Sequence, residues 1–215
     1  ATAAETAKPA ATAGMAEKVQ GLAALLKSTG LTEPQLLNGV KSGLGTAVDF
    51  ATTALAKPGA LQLSGPASMA KLQTALIKAN QSGALDGFKA SLSQAAASVS
   101  PQAAAVLKDS LKAMVLTDVS GLSGGVPDSA TKMLRGVAEP ALRTKLLPLV
   151  KESIAANGSA AKIKELAGKA GPFAAMLGVP GAADLENYVL TQVIDTSFGY
   201  LAKGEAAVRS SMRVR

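Results

Sequence analysis

The chain has 215 residues, 48% of them hydrophobic but only 3% aromatic, and a net charge of +7 from 22 basic and 15 acidic side chains. That length allows a substantial core in one large domain or two small ones, built from Ala, Leu and Val through many small contacts. The chain contains no His, Cys or Trp, which excludes Ser-His-Asp triads, imidazole acid–base catalysis, thiolate nucleophiles, disulfides and the usual transition-metal sites.

The opening ATAAETAKPAATAG is rich in Ala and Thr and poor in large apolar residues. Residues 1–14 therefore read as a flexible leader, either an artificial end or the tether left when an exported protein is processed. Residues 15–215 read as one helical bundle domain. Ala, Leu, Lys and Gln favour helix throughout, and no alternating strand pattern extends beyond a few residues. A first helix is expected over Met15–Ser28, with Gly30 as its stop. Thr32, Glu33 and Pro34 combine a cap, an acidic first turn and an early proline, and they start a second helix reaching about Ala56. Gly39, Gly43 and Gly45 inside it predict close backbone approach by a neighbouring helix.

PGALQLSGP, residues 58–66, reads as a loop. Helices follow over about 67–80 and 84–99, and Ser100-Pro101 opens another to Leu116. After the glycine turn at Gly124-Gly125, a helix from Asp128 meets Pro140 and is expected to end or kink there. Further helices cover 141–156, with Asn157-Gly158 closing, and 159–170. FAAMLGVPG is a short apolar segment, and a long helix from Ala182 passes Tyr200 before Gly204 divides off a terminal one. The expected fold is all-α, a single-domain bundle of eight or nine helices with short connections. No apolar run reaches the ~18 residues of a membrane span.

The stretch LSGGVPDSATKMLRG, residues 122–136, carries two catalytic-looking signals. Ser129 and Lys132 form S-x-x-K, as do Ser68/Lys71 and Ser159/Lys162, but the S-D-N and K-T-G partners of that motif are missing. Each serine falls at a helix start, where a hydroxyl caps free N–H groups. Gly124-Gly125 lacks the strand and the following G-K-[ST] of a phosphate loop, and Asp128 puts a negative charge where an anion would sit. Asp128 reads as the cap. Basic residues form no dense block beyond the tail VRSSMRVR, and aromatics are too few for base stacking, so no nucleic-acid partner is expected. On the last long helix, Asn187, Thr191 and Asp195 share one face by i, i+4 spacing, which reads as a solvated stripe.

Bulk is concentrated in one region. Both tyrosines and Phe198 fall within residues 188–200, with Phe173, Met176 and Leu177 just upstream. The plain reading makes the stripes Leu185/Val189/Val193/Tyr200 and Leu190/Ile194/Phe198/Leu201 the bundle core. The functional reading is an apolar pocket between helices. Its candidate ligand-binding residues are Met133, Leu134, Phe173, Met176, Leu177, Tyr188, Ile194, Asp195 and Phe198, with Asp195 or a Tyr hydroxyl orienting a polar headgroup. No catalytic residue, metal site or cofactor is expected.

Three segments together, LSGGVPDSATKMLRG, LRTKLLPLVKESIAANG (142–158) and DLENYVLTQVIDTSFGYLAKGEAAVR (184–209), resemble a family of exported Gram-negative bacterial proteins. Many of these are lipoproteins, and they are catalogued only as a domain of unknown function. The resemblance covers roughly 33–212, and Tyr188-Val189, the Phe198 region and the E-x-x-x-R of Glu205 and Arg209 match well. The chain departs from the pattern at Met133-Leu134-Arg135, where Y-F-R is usual, and at SLSQAAAS, where an Asn-rich acidic segment is usual. The resemblance implies a helical, non-enzymatic protein of the periplasm, associated with the outer membrane. It is similar to the outer-membrane-side component of a bacterial sterol transport system. The implied ligand is a lipid or sterol-like molecule, and the implied partners are a periplasmic carrier protein or the inner leaflet of the outer membrane. A cell-envelope scaffold with a solid core and no ligand is the alternative.

Overall fold

The computed structural model describes residues 32–115 and 128–213, together with Lys27 and Gly30. Among these residues there are six α-helices and no strand. They are α1 (Glu33–Leu55), α2 (Ala70–Lys78), α3 (Ser82–Ala113), α4 (Ser129–Ala156), α5 (Ser159–Lys169) and α6 (Ala182–Arg213). Short 3₁₀ turns, Ala67–Met69 and Gly171–Leu177, lead into α2 and follow α5. The expected leader over 1–14, most of the expected first helix and the glycine turn at 124–125 lie outside the described residues.

The long helices α1, α6, α4 and α3 form a ring in that order, each packed along the next, with α3 also touching α6 across the middle. Their apolar rows explain the arrangement. On α4, Leu134, Ala138, Leu142, Leu146, Val150 and Ile154 recur every four residues and are all buried, the spacing that lines up one ridge for a neighbouring groove. Leu44, Ala47, Val48 and Ala51 of α1 and Leu185, Val189, Val193 and Leu201 of α6 face the same core. Small residues at these positions let the backbones come close, so the scarcity of aromatics is no handicap. α5 docks on α3, and α2 fills a corner between α3 and the second 3₁₀ turn.

Eight or nine helices were expected, and the described residues form six, because most of the expected first helix lies outside them and the breaks expected at Pro101, Pro140 and Gly204 do not occur. α3 runs through Pro101, α4 through Pro140 and Pro148, and α6 through Gly204. An internal proline removes one backbone hydrogen bond and costs about 3 kcal/mol. All three prolines lie on exposed faces, where water reaches the freed carbonyls. Buried rows on both sides of each proline hold the helix together: Leu134 and Ala138 precede Pro140, and Leu142 and Leu146 follow it.

The glycines of α1 also play a different part from the one expected. A Cβ on Gly39 would meet nothing within 4 Å, and one on Gly43 would make ordinary contact with Val208 at 3.6 Å. The close approach is on the partner helix: a Cβ on Gly204 of α6 would lie 2.9 Å from the Ala47 Cα of α1. Gly204 therefore sets the α1–α6 crossing and does not break the helix.

Candidate functional site

α1 and α3 run antiparallel. Lys41 Nζ donates to the carbonyls of Lys112 and Met114 at 3.3 and 3.2 Å, and Lys108 pairs with Asp49 at 3.1 Å. Beyond the end of α1 the chain turns at Lys57-Pro58-Gly59, with Gly59 at φ +78, and continues along α3 as an irregular segment. Leu61 and Leu63 anchor this segment in the core. The Leu63 N–H donates to Ser93 Oγ at 2.9 Å, and the Tyr200 hydroxyl of α6 reaches the Ala60 carbonyl at 3.5 Å.

The segment and the last turn of α1 stand off from α3 and leave a groove of about 650 Å³ between them. Its walls are mainly apolar, from Leu55, Ala60, Leu61, Ala97, Pro101 and Ala104, with Thr52, Ser93 and Ser100 interspersed. Lys57, Gln62 and Gln94 also line it and are exposed. Small side chains on α3 and the standoff of the segment create the space. Its volume falls within the roughly 300–1,000 Å³ of small-molecule sites.

None of the nine sequence-predicted ligand residues lines this groove. Leu134 and Ile194 are fully buried in the main core, and Phe198 is buried beside them. Met133, Leu177 and Tyr188 pack against that core from its edge. Met176 is 78% exposed. The side chain of Phe173 lies outside the described ones. Asp195 is exposed and held by Arg135, whose Nη2 donates to its Oδ1 at 2.6 Å.

Arg135 is the hub of a network at the α4–α6 seam. Its Nε donates to Glu139 Oε2 at 2.7 Å, Arg143 Nη2 donates to Glu139 Oε1 at 2.7 Å, and its guanidinium lies 5.1 Å from the centre of the Phe198 ring. Hydrogen bonds from Arg135, then Arg143, hold the Glu139 carboxyl below the usual carboxylate range. The hydrogen bonds to Glu139 and Asp195 raise the Arg135 guanidinium above its ordinary value. The expected Asn187/Thr191/Asp195 stripe is thus mostly solvated, with Asp195 acting as one end of an ion pair.

At the start of α4 the cap is not the one expected. Asp128 occupies the N-cap position but makes no side-chain capping bond, and it pairs instead with Lys132 at 3.0 Å. The free amides are taken by Glu205 of α6. Its carboxylate accepts from the Ala130 and Thr131 N–H groups at 3.2 and 2.7 Å and from the Thr131 hydroxyl at 2.7 Å. Arg209, one turn on, donates to Glu205 Oε1 at 2.7 Å and to Ser129 Oγ at 2.8 Å. Glu205 is 5% exposed, so an acidic side chain of the protein fills the place an external anion would take. Ser129 and Ser159 do not cap their own helices either: Ser129 accepts from Arg209, and Ser159 Oγ donates to Ser91 Oγ at 2.9 Å.

Sequence reasoning missed the groove because its marker is a lack of bulk. The available signal was a proline set in the Ala- and Ser-rich run 95–105, with the loop PGALQLSGP upstream of it. Among the described residues, no group of three or more acidic side chains is placed to hold a metal ion, and no helix is long and apolar enough to cross a membrane.

No curated protein and no solved structure matches the chain. The model of one family, described as "Protein of unknown function (DUF4197)", matches residues 30–215 and so takes in α1 to α6, the groove and the Glu205–Arg209 cluster; the chain belongs to that family.

Proposed function

We propose that this protein is a non-enzymatic binding protein that carries an apolar small molecule, a lipid or sterol-like compound, in the groove between α1, the 57–62 segment and α3. The observation that carries this reading is the groove itself: about 650 Å³ of mainly apolar space beside a main core whose residues, including Leu134, Ile194 and Phe198, are packed shut. Burial of an apolar ligand there is driven by about 25 cal/mol per Å² of apolar surface removed from water. The resemblance to exported, often lipid-modified proteins supports a place in the periplasm at the outer membrane, taking part in lipid trafficking. A periplasmic carrier protein or the membrane's inner leaflet would then be the partner. A second reading, an envelope scaffold that binds no ligand, draws on the same filled core and on the basic net charge.

Native mass spectrometry and solvent extraction of the purified protein separate the two. The binding reading expects a co-purifying apolar molecule, or saturable uptake of an environment-sensitive apolar dye that Ala97→Phe abolishes while the protein stays folded. Failure of both tests sinks it in favour of the scaffold.

A further inference from the structure

The polar groups of the groove floor are biased in one direction. The Thr52, Ser93 and Ser100 hydroxyls each donate to a carbonyl of their own helix, Val48 at 2.8 Å, Lys89 at 3.0 Å and Ala96 at 3.1 Å. A hydroxyl has a single proton to give, so these three offer the groove only lone pairs, and Ser93 already spends one on the Leu63 N–H. Pro101 adds a further acceptor. It lies inside α3 and has no N–H, so the carbonyl four residues back, that of Ala97, lacks its helical donor. Ala97 and Pro101 both line the groove. The side-chain donors of the lining, Lys57, Gln62 and Gln94, stand at the exposed margin. The walls between are apolar.

Resting on the binding reading above, we infer that the groove selects an apolar molecule whose polar group is a hydrogen-bond donor, an alcohol, over one that ends in a carboxylate. An alcohol lets the floor acceptors keep a partner when water leaves. A carboxylate has only lone pairs, so inside the groove it would lose its hydration and face oxygen atoms. This preference runs against the protein's overall charge of +7, which by itself favours the anion. Pro101 and Thr52 are therefore specificity-determining positions.

The test is displacement of a groove-bound apolar dye by 1-dodecanol and by dodecanoate, chains of equal length. Dodecanol should compete at about tenfold lower concentration, the worth of one to two hydrogen bonds. Pro101→Ala restores the N–H that occupies the Ala97 carbonyl and should also strengthen α3, so loss of fold does not confuse the result. It should shrink the alcohol-to-carboxylate ratio severalfold, as should Thr52→Val, whereas Thr52→Ser should preserve it. Equal or tighter binding of dodecanoate overturns the inference, as does a ratio unmoved by both variants; either result leaves the groove standing as an apolar site. Failure of both compounds to displace the bound dye overturns the inference alone, whereas absence of any saturable dye uptake or co-purifying molecule overturns the binding reading with it.

Discussion

Glu205 lies 74 positions beyond Thr131, yet its Oε2 accepts from both the backbone N–H and the hydroxyl of Thr131, each at 2.7 Å. A side chain near the end of α6 thus completes the first turn of α4. Glu205→Ala strands two buried amides and leaves Arg209 without its carboxylate. The expected loss of stability is about 3 kcal/mol, at the lower end for breaking a buried charged pair, read as a lower urea midpoint. Asp128→Ala should cost under about 0.5 kcal/mol, because among the described residues its carboxylate pairs with Lys132 near the surface. If the two variants lose equal stability, the capping assignment is wrong.

Gly204 and Gly39 should respond oppositely to alanine. Both sit inside helices, where alanine is intrinsically favoured by about 1 kcal/mol. At Gly39 a methyl group meets nothing within 4 Å among the described residues, so Gly39→Ala should raise the melting temperature by a few degrees. At Gly204 it would come within 2.9 Å of the Ala47 Cα, and backbone cannot give way as a side chain does. Gly204→Ala should destabilise by about 1–3 kcal/mol net, measurable by thermal denaturation.

The Arg135–Glu139–Arg143 network predicts a pH dependence. Because the folded-state pKa of Glu139 is lowered, its contribution is fully present above the pKa it has in the unfolded chain. That contribution is lost as pH falls through the lower, folded value. Glu139→Gln should therefore cost about 0.5–1 kcal/mol at pH 7, the range for a partly solvated ion pair. The gap to the unmodified protein should narrow as pH falls below the ordinary carboxylate range. Thermal melts of both proteins over a falling pH series check this, and a gap that does not narrow as the pH falls contradicts it.

Filling the groove should be neutral for the fold. Ala97 is exposed on α3, so Ala97→Phe places a ring in the groove without entering the core. The unfolding free energy should stay within about 0.5 kcal/mol while dye uptake disappears. Leu134→Ala is the opposite case. Leu134 is 0% exposed and does not line the groove, so the variant should lose about 2–5 kcal/mol and keep the groove's ligand preference.

The helical class and most helix starts were legible in the sequence because they are local. Thr32, Glu33 and Pro34 start α1 as expected, and the structure adds a bond from the Thr32 N–H to Gln35 Oε1 at 2.9 Å. The stripes of α6 were legible too: Leu185, Val189, Leu190 and Val193 are all buried. Helix ends at Pro101, Pro140 and Gly204 were misread because local punctuation was outweighed by packing that only the assembled bundle supplies. The candidate residues and the groove fall in different places for a related reason. Tyr188, Ile194 and Phe198 concentrate bulk, and bulk fills space. The groove lies where Ala60, Ala97 and Ala104 leave space unfilled, and sequence spacing does not show which small residues face one another across two chain segments.

Because α4 takes its cap from Glu205, its first turn cannot be finished when it leaves the ribosome. Chain synthesis runs from the N-terminus, so the amides of Ala130 and Thr131 must wait on water until α6 has emerged and folded back across them. Closure of the ring and completion of α4 are therefore one event, which waits until residue 205 has been made. Any product cut short before residue 205 would carry α1 to α5 with a frayed seam, and quality-control proteases could recognise it by that exposed turn.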